Sequence, residues 1–118
     1  MDSSNTSDQI FNKEFFLEQI GNDEGLYEAI MIEFVKDLPQ KTKDLKNAIL
    51  EKNYSEIVHF SHSIKGMCGI IGANVLRSVS EKIETLSKNN GDLNEMLNLC
   101  TDLESAKDDF LELVETKS

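Results

Sequence analysis

Tryptophan is absent from these 118 residues, proline occurs once and cysteine twice. Cys68 and Cys100 lie far apart, without a CxxC or a second Cys/His pair to match. Neither a zinc ribbon nor a disulfide framework is therefore indicated, and reduced thiols are expected. Clusters of β-branched residues are scarce, which leaves little to build a sheet from. Basic residues are also few: 12 Lys and Arg against 22 Asp and Glu give a formal net charge of -10. Such a field repels nucleic-acid phosphates and anionic lipid, so neither is an expected partner. No apolar run approaches the roughly 20 residues that span a bilayer. The opening MDSSNTSDQI lacks the basic and apolar regions of a secretory leader. A soluble, cytoplasmic chain is the expectation.

What is present is helical. Leu, Glu and Lys recur throughout, and 39% hydrophobic residues suffice for one core of ordinary size. Residues 1–10 are polar, with little to bury, and read as a disordered tail before a domain spanning 11–118. Asn12 is placed to cap a short helix over 13–20, with Phe11 and Phe16 as a hydrophobic staple and Gly21 as its stop. Leu26, Ile30, Phe34, Leu38, Leu45 and Ile49 keep one phase across Pro39, predicting a single long helix over 24–51, kinked at the proline. Asn53 and Glu56 open a third helix with the stripe Ile57, Phe60, Ile64, Cys68 and Ile71, ending at Gly72. Leu76, Val79, Ile83 and Leu86 define a fourth over 74–88, closed by Asn89-Asn90-Gly91. Asp92 and Glu95 start a fifth that runs nearly to the end. The expected fold is all-α: an up-down-up-down antiparallel four-helix bundle with a short extra N-terminal helix. Its apolar stripes are consumed internally, so a monomer is expected.

The stretch with chemical content is Ser61 to Ala73. On a helical wheel His62 lies opposite the apolar stripe and faces away from the core. Gly66 and Gly69 share its face at i+4 and i+7, and each costs about 1 kcal/mol of helix stability relative to alanine. Open space around the imidazole is the gain that would justify them, since it lets a second protein approach the ring closely. Lys65, at i+3, places an ammonium near any anion the ring carries. Imidazole titrates near neutrality, so its neutral form is available to attack phosphorus. No GxxxxGK[ST] phosphate loop and no HExxH pattern is present. The chain has no ATP-binding or kinase machinery of its own and would receive a phosphoryl group from a partner that supplies the metal. His59 lies on a polar flank without the glycine clearing and reads as an ordinary surface residue. A metal site from His59, His62 and Cys68 is set aside because Cys68 falls on the core stripe.

The run His62-Ser63-Ile64-Lys65-Gly66, followed by Gly72-Ala73, Leu76 and Ile83-Glu84, resembles the histidine-containing phosphotransfer domains of multistep phosphorelays. The resemblance extends in pattern from about Phe15 to Val114 and includes Phe34-Leu38-Pro39. It implies that His62 is phosphorylated, that Lys65 assists the phosphoryl group and that Gly66 keeps the site open. It also implies that Glu84, on the next helix, orients the imidazole through Nδ1 and leaves Nε2 as the nucleophile. Lys88, one turn after Glu84, falls at the rim. Expected partners are response-regulator receiver domains and a sensor or hybrid histidine kinase. No cofactor is expected on this chain, and Mg²⁺ belongs to the receiver. Met67-Cys68 and Ser80 depart from the commoner family residues, which bears on partner preference. Two other readings share these residues: the phosphate-accepting domain of a chemotaxis-type histidine kinase, and a helical module that docks receivers without chemistry.

Overall fold

The computed structural model describes residues 6–117. They form six helices: α1 (Ser7–Ile10), α2 (Lys13–Gln19), α3 (Glu24–Leu50), α4 (Tyr54–Ile71), α5 (Asn74–Lys88) and α6 (Leu93–Lys117), with no strand among the described residues. Short polar side chains set the starts. The carboxamides of Asn12 and Asn53 and the carboxylate of Asp23 each accept a backbone N–H from the third residue on, at 3.0–3.1 Å. Asp92 accepts instead from Asn94, two residues on, at 2.9 Å.

One helix more is present than the hydrophobic pattern predicts. Within the expected tail, residues 1–5 lie outside the described residues, but Ser7–Ile10 forms a helical turn. Its cause is local: the Thr6 hydroxyl accepts from the Gln9 N–H at 3.2 Å, and the Gln9 side-chain carbonyl accepts from the Thr6 N–H at 3.0 Å. This reciprocal capping carries no hydrophobic signature, so periodicity does not reveal it.

α3 passes through Pro39 as one helix. Proline deprives the Val35 carbonyl of its usual donor, and just beyond it the Thr42 hydroxyl donates to the Pro39 carbonyl at 2.9 Å. Phe34, Leu38, Leu45 and Ile49 are buried as the stripe predicts, whereas Leu26 is exposed and Ile30 only half-buried. At that end the helix meets α2, and Tyr27 rather than Leu26 makes the contact, its ring 5.5 Å from that of Phe16.

The long helices pack in a cycle, α3 on α4, α4 on α5, α5 on α6 and α6 back on α3. Phe16, Leu38, Leu45, Ile57, Ile64, Ile83, Met96, Leu103 and Phe110 are wholly buried between them. α1 lies against α5 and α6, and α2 against α3 and α4. Here the Phe110 ring receives Phe11 and Phe34 edge-on, with centroids 5.4 and 5.2 Å away. Gly72 ends α4 in the left-handed region (φ 81°), and a Cβ there would stand 3.0 Å from the Asn12 carbonyl oxygen and 3.1 Å from the Phe15 ring. Its own carbonyl accepts the Asn12 N–H at 3.0 Å. Only glycine suits both the turn and the close approach.

α4 and α5, joined by this turn, pack most closely of all. Their buried serines lie among helix backbone. The hydroxyls of Ser61, Ser80 and Ser87 donate to the carbonyls of Ile57, Leu76 and Glu84 at 2.7–2.9 Å, so small polar residues fill the seam without an unpaired group.

Candidate functional site

The seam between α4 and α5 opens at His62. Its side chain is 65% exposed, while Glu84, opposite it on α5, is 3% exposed. Nδ1 of His62 lies 2.8 Å from Oε2 of Glu84. With Nδ1–H donating to the carboxylate, the lone pair on Nε2 is directed away from Glu84. The same carboxylate binds both nearby lysines: Lys65 Nζ lies 2.8 Å from Oε1 and Lys88 Nζ 3.1 Å from Oε2. Glu84 thus joins His62, Lys65 and Lys88 through two oxygens.

Burial by itself pushes the Glu84 carboxyl up, because it disfavours the charged form. Hydrogen bonds from Lys65, Lys88 and His62, with the charge of Lys65, outweigh it and hold the group at about 2 against an ordinary 4.5. It is ionised at any physiological pH. The buried thiols behave oppositely: burial pushes Cys68 up to about 12, with Arg77 opposing, and Cys100 to about 11. Neither supplies a thiolate at neutral pH.

The two glycines expected to clear the imidazole differ. Among the described residues nothing lies within 4 Å of where a Gly66 Cβ would stand, so this flank is open. A Cβ on Gly69 would lie 3.3 Å from Cδ of Arg77. Gly69 therefore seats a side chain from α5 and does not simply bare the helix. Periodicity places a residue on a face but does not say which neighbour covers that face. The Lys65 ammonium is held by Glu84, a pairing the helical spacing did not reveal. His59 is exposed beside Phe60, the two rings 5.2 Å apart. Among the described residues no three His, Cys, Asp or Glu side chains gather as a metal site, and no helix is long and apolar enough to cross a membrane.

A groove of about 320 Å³ between α3 and α4 escaped the sequence reading. Ile30, Phe34, Met67 and Ile70 line it, with Glu33 and Asp37 beside them. Ile70, 58% exposed, was its available signal, as a large apolar residue off the core stripe and two turns beyond His62.

Fold and site together define a small helical protein built around one exposed imidazole backed by a buried carboxylate. The Hpt domain family model matches residues 29–115, and the chain belongs to that family, whose members carry phosphoryl groups in two-component phosphorelays together with histidine kinases and receiver domains. Its fold is similar to that in the crystal structure of the HPT domain from the Hpt sensor hybrid histidine kinase from Shewanella. The TM-score is 0.74 and the identity 15%, over 93% of this chain and 97% of that one. No curated protein matches the chain.

Proposed function

We propose that this phosphorelay protein accepts a phosphoryl group on Nε2 of His62 from the phospho-aspartate of one receiver domain and passes it to another. The observation that carries this reading is the pairing of a largely exposed imidazole with a buried carboxylate 2.8 Å from its other nitrogen. The Nε2 lone pair attacks phosphorus, the bond from phosphorus to the aspartyl oxygen breaks, and the aspartate leaves as carboxylate. Nδ1 keeps its proton. The phosphorylated ring therefore gains a positive charge, which the ionised Glu84 beside it stabilises. Passing the group on is the same step reversed, with the next receiver's aspartate as nucleophile.

Lys65 and Lys88, now paired with Glu84 beside the imidazole, are the cations that would turn toward the phosphoryl group. Arrival of a dianionic phosphoryl group gives both ammonium groups a second anion to bind. Gly66 leaves room for the receiver to bring its aspartate to the ring. The chain needs no cofactor; Mg²⁺ sits on the receiver. Residues 11–118 act as one domain, the four long helices running up, down, up and down, as a cytoplasmic monomer without nucleic-acid or membrane partners.

The test is phosphorylation by a phosphorylated receiver or by phosphoramidate, followed by intact mass and site mapping at neutral to alkaline pH. One acid-labile phosphoryl group on His62 is expected. His62→Gln should take none while its helical signal and Tm stay near wild type; labelling retained in that folded variant refutes the assignment.

A further inference from the structure

Arg77 is the chain's one arginine and one of 12 basic residues in a protein of net charge -10. Its stem runs beside Gly69, where a Cβ would stand 3.3 Å from Cδ. The guanidinium is not used internally to much effect. Its ion pair with Glu81 is long, 3.8 Å, between side chains 41% and 54% exposed, and exposed pairs of that kind contribute little. Most of its five N–H donors remain available for a planar carboxylate.

Position gives this cation a purpose. Gly69 follows His62 by seven residues on α4, and Arg77 precedes Glu84 by seven on α5, so each pair shares a helix face about 10 Å apart along the axis. Lys65, Lys88 and Arg77 therefore border the same strip of surface as the nucleophile. An interface of ordinary size covers about 800 Å² per partner, spreading roughly 15 Å from its centre. An interface of that size centred on His62 reaches Arg77.

Such a partner is acidic where it matters. It holds Mg²⁺, and Mg²⁺ is held by carboxylates around the phosphoryl group. A chain of net charge -10 repels that surface unless cations are concentrated at the contact. We propose that Arg77, seated along the Gly69 flank, is a receiver-docking residue that binds a carboxylate at the rim of the receiver's phosphorylation site. This inference rests on the phosphotransfer reading above. It assigns Gly69 the role of seating that arginine.

The experiment measures transfer from a purified, phosphorylated receiver that labels the wild-type protein, with receiver concentration varied. Arg77→Ala should raise the half-saturating receiver concentration about tenfold and leave the rate at saturation near wild type. Arg77→Lys should recover part of the loss, because it restores the charge without the fork. Gly69→Leu should weaken docking by displacing the stem, and combining it with Arg77→Ala should add little. Labelling of His62 by phosphoramidate, which needs no docking, should be unchanged throughout, and the helical CD signal and Tm report that each variant is folded. Half-saturation unchanged in Arg77→Ala, with wild-type transfer intact, overturns the inference alone, as does a loss confined to the saturated rate. Additive effects of Gly69→Leu and Arg77→Ala overturn the seating. If neither receiver nor phosphoramidate labels His62 in the wild type, the phosphotransfer reading fails, and this inference with it.

Discussion

Two regions of this protein are held together in opposite ways. Beneath α1 and α2, the rings of Phe11 and Phe34 each pack T-shaped against that of Phe110, and all three side chains are apolar. At the α4–α5 seam a carboxylate is buried, and three basic groups surround it. The aromatic end is held by area removed from water and is insensitive to pH. The seam is held by compensation of a desolvation penalty, which lasts only while every partner stays in place. The first arrangement suits permanence. The second suits a site whose charge changes when a phosphoryl group arrives.

Truncating the aromatic end should have the largest effect on stability. Phe110→Ala is expected to cost about 3–5 kcal/mol, read as a lowered urea midpoint, while any molecule still folded accepts phosphoryl from phosphoramidate as wild type does. Coupled loss of stability and labelling chemistry in the folded fraction would break the separation between the two regions.

Acid should sharpen it. The Glu84 carboxyl is lowered from 4.5 to about 2 in the folded state, so its contribution is fully present above the ordinary value. It is lost as pH falls from about 4.5 toward 2. That shift corresponds to roughly 3 kcal/mol at most, and less where the exposed ends of His62 and Lys88 are screened by water. Urea denaturation across this range should show the loss in wild type and a shallower one in Glu84→Gln. Equal slopes in the two proteins would remove Glu84 from the acid response.

Gly66→Ala carries the smallest expected change and the sharpest contrast. Its Cβ meets nothing within the described residues, so the helix should gain about 1 kcal/mol, seen as a raised Tm. Transfer from a receiver should slow while labelling by phosphoramidate holds. A gain in stability with full transfer from the receiver would show that the open flank is unnecessary for docking.

Much of this was legible in one dimension. The caps at Asn12 and Asn53, the stop at Gly72 and the run of α5 from residue 74 to 88 follow from side chains acting on backbone a few residues away. The outward face of His62 follows from the 3.6-residue period. Glu84 as the partner of Nδ1 came from resemblance rather than spacing, since nothing local ties residue 84 to residue 62. The α1 turn was missed because its capping pair, Thr6 and Gln9, lies in a polar stretch with no apolar stripe following it to mark a helix. The Arg77 stem beside Gly69 was not legible, because a bare position on a helix looks identical whether water or a neighbour's arginine fills it.

The sequence by itself determined the helices, their ends and the face each presents, because those depend on interactions within about one helical turn. Tertiary structure alone decided what lies across each face. Glu84 gathers His62, Lys65 and Lys88, Arg77 lies along Gly69, and an apolar groove opens beside Ile70. Each of these depends on the register between neighbouring helices, which is set by the packing of the whole core and by no local interaction.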